Sequence, residues 1–446
     1  MRYSPPFTRR NVLQMAAATC LTPSLPSWPT LAQDQPKQDP TDLIQRCRFI
    51  ATELMQPTAS QMQQGLELHE DALVFDAYGF APRAAVDGTA FQAAVDAGAT
   101  EEELNDLREE MMMTRFATDA NERNEFLRAM HAAGVTGIFQ NCGEEGNDPL
   151  RLIKRLSRFQ HAVDEMQQDL SKAIHPQQVE ERKKQKKLCL AFTTNGVPLR
   201  QQWNNERDEL RVVKYFRQLG VRMMHLTYNR RNPLGDGCGE PNDGGVSEFG
   251  KTAIAELNRL GIIVDVAHSG WRTSREAAQV SKRPVVASHT TCAGLYSHFR
   301  GKPDETVRAI CESGGYIGIC CIPRFLGGKG NIVDFLNHID YALKTFGEDH
   351  VAIGTDVAYV SQNDALERAK IKPRPSDRRV DRTSWEHLWP KDDFATSQEA
   401  TQSLAWTNWP LFTVGMLQRG HSEKTIRKVL GLNVLRVWRD HDQPFG

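Results

Sequence analysis

The sequence predicts an α/β protein with the (β/α)8 architecture of a TIM-type barrel. Eight short apolar runs rich in β-branched residues alternate with longer amphipathic stretches along the 446 residues. This alternation indicates parallel strands joined by helices, and eight such units are the number that closes the barrel. Gly220 and Gly261 each stand immediately before a strand, where a helix is expected to end. The alternative is a doubly wound open sheet, but its nucleotide-binding G-x-G-x-x-G turn is absent after the first strand.

The predicted strands are short runs of aliphatic and β-branched residues, and the segments between them repeat apolar residues at helical spacing. Leu210, Val213, Phe216 and Leu219 are an example of that spacing. A charged segment at 151–187 is predicted to be one long helix, and Ser422 is predicted to cap a final helix over 423–438. The eight predicted strands are 73–77, 135–140, 188–193, 222–227, 262–267, 284–288, 315–320 and 351–354.

The N-terminal segment has the pattern of an export signal. Arg9-Arg10 precede a short apolar stretch, and Ala32 ends a small-residue site that suits cleavage. The pattern is typical of a twin-arginine signal peptide over 1–32. We therefore expect the mature chain to be periplasmic or otherwise extracytoplasmic.

The remaining chain is divided by composition. Residues 33–65 are interpreted as a linker and an N-terminal helix, 66–440 as the barrel, and 441–446 as a tail. The polar stretch 358–405 is too long for an ordinary connection, so it is predicted to be a loop over the barrel mouth.

The overall charge argues against nucleic acid as a partner. Lys and Arg number 55 against 56 Asp and Glu, so the net charge of −1 provides no basic surface for nucleic acid. Removal of 1–32 takes away three Arg and no acid, which gives 52 − 56 = −4. No run of about 18 apolar residues occurs, so no transmembrane segment is expected.

Polar residues follow three of the predicted strands at the ends where barrel enzymes carry their chemistry. His268 follows the fifth strand, His289 the sixth and Asp356 the eighth. Adjacent strands lie about 4.8 Å apart, so two imidazoles can share a metal ion at about 2.0–2.1 Å from each. Asp356 could be a further ligand or a proton acceptor. A lone histidine at such a position is best interpreted as a hydrogen-bonded core residue. Two histidines at matching positions on neighbouring strands favour a shared metal site.

Several ordered stretches from about 66 to 439 make the sequence resemble the membrane (renal) dipeptidases, peptidase family M19. The resemblance implies a (β/α)8 barrel of the metal-dependent hydrolase kind, a binuclear zinc site and hydrolysis of dipeptides. Family members often pair, so the resemblance also implies a homodimer as one state of the chain. The stretches that carry it are 220–229, 249–261, 264–268, 284–289, 298–304, 353–356 and 426–436.

The resemblance assigns roles to five residues. His268 and His289 match the two histidines of one zinc, and Asp356 matches the aspartate of the eighth strand. Arg300 matches the arginine that holds the substrate carboxylate. Tyr228 stands where the family has a histidine that stabilises the oxyanion, and a tyrosine can still donate a hydrogen bond there.

Three family ligand positions are degenerate in this chain. Tyr78 and Phe80 replace the His-x-Asp pair of the first strand, and Asn195 replaces the glutamate that bridges both metals. Tyrosine is a poor zinc ligand at neutral pH, and phenylalanine has no ligand atom. The asparagine amide brings no negative charge to balance a metal ion. We therefore expect one zinc ion at most, with a third ligand from Asp356, Asn195 or Cys142.

His225 is set aside as a site residue, because it precedes Tyr228 by three residues and strand alternation would point the two side chains to opposite faces.

Three hypotheses about function follow from the predicted site. The first is a metallohydrolase that cleaves dipeptides or a related small amide with one metal. The second is an exported pseudoenzyme that binds a peptide-like ligand without hydrolysis. The third is a changed reaction on the same scaffold, with Tyr78 in the site.

Overall fold

A computed structural model describes residues 42–143, 148–373 and 392–442. Eight parallel strands form a nearly closed barrel in the order β1-β2-β4-β5-β6-β7-β8-β9. The TIM-type prediction is thereby confirmed, and all eight predicted strands are present. Residues 1–32, Trp385 and Trp389 of the predicted mouth loop, and 443–446 of the predicted tail lie outside the described residues. The strands are β1 Phe75–Gly79, β2 Gly137–Asn141, β3 Leu170–Lys172, β4 Leu188–Thr194, β5 Val221–His225, β6 Ile263–Asp265, β7 Val285–Thr290, β8 Ile317–Ile319 and β9 Val351–Ile353.

The described helices surround the barrel and connect its strands. None of them has the length and hydrophobicity that a membrane span requires. The stretch 42–65 carries two helices rather than the single one expected, and Asp42 and Thr58 cap them. In chain order the helices are Leu43–Met55, Ala59–Asp71, Gly88–Asp96, Glu101–Thr118, Ala120–Ala133, Pro149–Glu165, Pro176–Lys184, Glu206–Leu210, Val213–Leu219, Glu248–Leu260, Trp271–Val280, Asp304–Glu312, Pro323–Leu326, Ile332–Phe346, Asp364–Arg368, Gln398–Ser403, Trp409–Gln418, Glu423–Arg427 and Asn433–Asp442.

The single helix predicted over 151–187 is wrong. Two helices, Pro149–Glu165 and Pro176–Lys184, are separated by the short strand β3, which pairs with β4 outside the barrel ring. Pro176 occupies the first turn of the second helix, where the missing N–H costs nothing. Of the three residues of β3 only Leu170 is buried, so the strand gives no apolar run that sequence could reveal in this charged segment.

The final helical region closes the bottom of the barrel. Ser422 caps its start as predicted, but a π-helical turn at Lys428–Leu432 interrupts the helix. A Cβ at Gly431 would lie 2.9 Å from the carbonyl oxygen of Leu73, so only glycine allows this close approach to β1. Trp438 then packs against Phe139, with ring centroids 5.2 Å apart, and fills the barrel interior from below.

Asp76 links β1 to the loop after β9, where the first and last strands of the barrel meet. Its carboxylate accepts hydrogen bonds from Thr355 N at 2.8 Å, Thr355 Oγ1 at 2.5 Å and Trp406 Nε1 at 3.2 Å. Beyond it, Asp356 N donates to the carbonyl oxygen of Tyr78 at 3.0 Å. Burial raises the pKa of Asp76 to about 7, although these donors oppose the shift. The buried carboxylate of Asp76 and this backbone hydrogen bond thus link the loop after β9 to β1.

We expect Asp76→Ala to lower the free energy of unfolding by about 3 kcal/mol, because these three buried donors and the Tyr78 N–H, at 3.3 Å, lose their acceptor. Urea denaturation followed by circular dichroism measures this value. The matched control is Asp71→Ala, which removes a carboxylate that is 74% exposed and pairs with Arg427 at 2.6 Å. The control should change stability by less than about 1 kcal/mol. Equal losses in the two variants would show that Asp76 does not stabilise this link.

Candidate active site

Three imidazoles meet inside the carboxyl end of the barrel. His225 ends β5, His268 follows β6, and His289 lies in β7. The Nε2 atoms of His268 and His289 lie 2.8 Å apart, and a ring nitrogen of His225 lies within 4.8 Å of a nitrogen in each of them. All three rings are buried. Within the described part of the chain, this is the one group of three or more histidine, cysteine or acidic side chains with metal-binding spacing.

The outer nitrogen of each imidazole is fixed by a neighbour. His225 Nδ1 lies 2.8 Å from the carbonyl oxygen of Thr194, and His268 Nδ1 lies 2.7 Å from Asn229 Oδ1. His289 Nδ1 lies 2.9 Å from Ser288 Oγ. Because the first two partners only accept, His225 and His268 carry their proton on Nδ1 and direct an Nε2 lone pair inward.

Burial also keeps these rings uncharged. Desolvation lowers the pKa of His225, His268 and His289, most strongly for the last two. The cation of Arg300 is the next cause for His268 and His289. Neutral imidazole is the form that binds a metal ion.

Two polar atoms at the site, one on an imidazole and one on a carboxylate, find no hydrogen-bond partner among the described residues. They are His225 Nε2 and Asp265 Oδ2, which are both buried and lie 3.1 Å apart. The other oxygen of Asp265 accepts from the backbone N–H groups of Ala267 and Ser288. Buried polar atoms normally have partners, and a cation among these nitrogens and this oxygen would satisfy both. The donor set therefore fits one metal ion of the kind that prefers nitrogen ligands.

The degenerate family positions form a hydrogen-bonded pair. Tyr78 Oη donates to Asn195 Oδ1 at 2.6 Å, and both side chains are buried. The Tyr78 ring stacks on His289, with centroids 3.9 Å apart and 16° between the ring planes. Phe80 packs edge-on against Tyr78 at 6.0 Å. A neutral pair and an aromatic ring thus stand where the resemblance predicts two metal ligands and a bridging carboxylate.

Tyr228 and Arg300 contact the imidazoles from two sides. The partly exposed ring of Tyr228 stacks on His268, with centroids 4.2 Å apart. Arg300 is only 1% exposed and donates to the carbonyl oxygens of Ala267 and His289. Its Nη2 atom lies 3.5 Å from His268 Nε2. In this arrangement the guanidinium is held by the backbone and acts electrostatically on the histidines.

Asp356 lies just beyond β9 with a left-handed backbone, φ 56°. The residue as a whole is half-buried, and its carboxylate accepts no hydrogen bond from any of the described residues. Burial raises the pKa of Asp356 to about 7, while Arg300 and Arg83 act in the opposite direction. A carboxylate with this pKa suits proton transfer near neutral pH.

His225, rather than Asp356, Asn195 or Cys142, lies where a third metal ligand is needed. Strand alternation does not reach Tyr228, because β5 ends at His225 and Asn229 turns with φ 55°. Cys142 instead donates to the carbonyl oxygen of Gln140, and burial raises its pKa, so it remains a thiol. Asn195 is engaged by Tyr78. The signal that could have identified His225 is its place at a strand end, which it shares with His268.

Most of the chain is similar in sequence to a known protein family. The membrane dipeptidase family, peptidase family M19, matches residues 67–372. The dipeptidase aclJ of Aspergillus oryzae is 32% identical over 151 residues, which cover 32% of this chain and 36% of that protein. The dipeptidase verJ of Clonostachys rogersoniana is 26% identical over 229 residues, or 51% of this chain and 50% of that protein. The chain thus spans half or less of the length of these two relatives.

Solved structures with the same fold cover most of the chain. An amidohydrolase from Pseudomonas aeruginosa has a TM-score of 0.60 and 25% identity, covering 84% of this chain and 98% of that one. A metallopeptidase from Rhodobacter sphaeroides, liganded with a phosphinate mimic of the dipeptide L-Ala-D-Ala, has a TM-score of 0.57 and 17% identity. The match covers 83% of this chain and 99% of the metallopeptidase chain. At 17% identity, the similarity to the metallopeptidase shows a shared fold and no more.

Proposed function

Since the chain belongs to the membrane dipeptidase family, peptidase family M19, we propose that it hydrolyses an amide bond of a small peptide-like substrate at a single zinc ion. The observation that carries the proposal is the convergence of His225, His268 and His289 on one point. Three neutral imidazoles with one open position are a known arrangement of catalytic zinc sites. Family membership supports the reaction class, and the three histidines support the metal.

The proposed site has one metal because none of the three degenerate positions supplies a carboxylate for a second. Tyr78 and Asn195 are neutral and hydrogen bonded to each other, and Phe80 has no ligand atom. A second dication there would lie in a buried region without compensating negative charge, which is strongly unfavourable. These contacts support the reduced site.

The surrounding residues supply the other parts of the proposed reaction. A bound zinc ion would polarise the scissile carbonyl and lower the pKa of water. Asp356, with a pKa raised to about 7, accepts the proton of the attacking water. Tyr228 donates a hydrogen bond to the developing oxyanion. Arg300, whose guanidinium lies 3.5 Å from His268 Nε2, adds to the effect of burial that keeps His268 and His289 neutral.

A panel of dipeptides assayed with the purified full-length chain tests the proposal. We expect release of free amino acids, loss of that activity after a chelator, and recovery with one equivalent of zinc. Absence of turnover across the panel with zinc bound would contradict the proposal. Activity that survives complete metal removal would also contradict it.

A second candidate function, an exported pseudoenzyme that binds a peptide-like ligand, is favoured by the close packing at the site. Tyr78 and Tyr228 stack on two of the histidines, and Arg300 is buried beside them. This candidate predicts that a dipeptide raises the melting temperature without being cleaved and that zinc does not raise it. We also propose export to the periplasm, on the basis of Arg9-Arg10 and the apolar stretch after them.

We expect the triple variant Tyr78→His, Phe80→Asp, Asn195→Glu to bind a second metal ion, because it restores two carboxylates and an imidazole at the degenerate positions. Metal analysis after dialysis should increase by about one equivalent per chain. The control is Tyr78→Phe, which removes only the hydroxyl that donates to Asn195. A folded triple variant, verified by circular dichroism, with unchanged metal content would show that the lost ligands are misplaced.

A further inference from the structure

A cavity of about 990 Å³ lies beside the carboxyl ends of β1 and β2. Phe80 and Arg83 line it from the loop after β1, and Gln140 and Asn141 line it from the end of β2. Phe80 contacts Tyr78, so the cavity adjoins the degenerate metal positions. Its volume lies in the range of small-molecule sites.

Most cations on the wall of this cavity are already paired. Arg155 forms an ion pair with Glu109, Arg151 lies 3.6 Å from the same carboxylate, and Lys154 lies 2.7 Å from Asp106. These side chains neutralise the acidic residues on the wall. They leave little net charge for a ligand.

Arg83 differs from these cations. Among the described residues, its guanidinium forms no ion pair and no hydrogen bond, and it lies 4.5 Å from the centre of the Phe80 ring. Burial lowers the pKa of Arg83 to about 10, so the side chain remains cationic at neutral pH. The charged or titratable groups that act on it are Arg155, Glu109, Asp356 and Tyr78.

The backbone holds Arg83 between the two loops that border the site. The Arg83 N–H donates to the carbonyl oxygen of Tyr359 at 2.8 Å, and the Ser361 N–H donates to the carbonyl oxygen of Arg83 at 3.0 Å. The residue is thus fixed between the loops after β1 and β9, near Asp356. An unpaired guanidinium in this position presents planar donors that match a carboxylate.

We propose that Arg83 is a specificity-determining residue that binds a carboxylate of the peptide-like ligand in this cavity. Arg300 is buried and donates to two backbone carbonyls, whereas Arg83 faces the cavity and has donors free among the described contacts. The carboxylate is either the ligand's C-terminus or an acidic side chain. The inference deepens the proposed function and depends on it only for the nature of the ligand.

The test uses calorimetric binding to the full-length chain with three non-hydrolysable reduced-amide probes: the analogues of alanyl-alanine, of alanyl-alanine amide and of alanyl-glutamate. A C-terminal contact predicts that the amide probe binds most weakly. A side-chain contact predicts that the glutamate probe binds most tightly. In either case Arg83→Gln should weaken the preferred probe by about tenfold or more, and Arg83→Lys should retain part of the affinity.

Lys154→Gln is the matched control, because it makes the same charge change on the same cavity wall at a residue whose side chain is 45% exposed. It should change affinity by less than about twofold. Equal losses in Arg83→Gln and Lys154→Gln, or unchanged binding in a folded Arg83→Gln chain, would overturn the inference. Binding is measured without turnover. If probe affinity depends on Arg83 but the chain cleaves no dipeptide, the proposed hydrolysis is refuted and the inference about Arg83 stands.

Discussion

Replacing His225 with alanine is expected to remove the metal and to reduce kcat/KM by at least about a thousandfold. Two imidazoles alone make a weak zinc site, so the ion should be lost when one of three is removed. The measurement combines metal analysis of the dialysed protein with the dipeptide assay. The variant is informative because His225 is not one of the residues that the family resemblance assigns to a metal.

The control for this variant is His350→Gln. His350 lies just before β9, at the opposite end of the barrel, and its Nδ1 contacts the carbonyl oxygen of Gly315 at 2.8 Å. Metal content and kcat/KM should remain unchanged in the control. A folded His225→Ala chain that keeps a full equivalent of metal would contradict the three-histidine site.

Asp356→Asn is expected to lower kcat by about a hundredfold to ten-thousandfold, the range for loss of a general base. In the native chain the base must be ionised, and burial raises its pKa to about 7. The rate kcat/KM should therefore fall about tenfold per pH unit as the pH decreases below about 7. In the variant this acid limb should disappear, because no proton is exchanged at the amide.

Rates of both proteins from pH 5 to 9 give this comparison. The control Asp364→Asn removes a carboxylate of the same polar segment that pairs with Arg368 at 2.5 Å, and it should preserve both the rate and the acid limb. Persistence of the acid limb in Asp356→Asn would assign the titration to another group.

The barrel was predictable because its signals are local. Runs of β-branched residues and glycine helix ends, such as Gly220 and Gly261 with φ of 111° and 66°, reflect backbone preferences that a single sequence displays. The strand β3 was not predictable, because three residues in a charged segment give no periodic signal. Its place depends on pairing with β4, which is a tertiary contact.

The site was only partly predictable, because side-chain direction depends on where each strand ends. His268 and His289 stand at matching strand ends, so their proximity could be inferred. Strand alternation gives the wrong direction for His225 relative to Tyr228, because β5 ends at His225. The hydrogen bond between Tyr78 and Asn195 joins residues 117 positions apart, and no local pattern predicts such a pair.

X-ray absorption spectroscopy on the zinc-loaded full-length chain, together with metal analysis, tests the single three-histidine site most directly. The account predicts one zinc per chain, bound by three imidazole nitrogens at about 2.0–2.1 Å. A metal–metal distance from a second ion, or a chain that retains no zinc after dialysis, would contradict it.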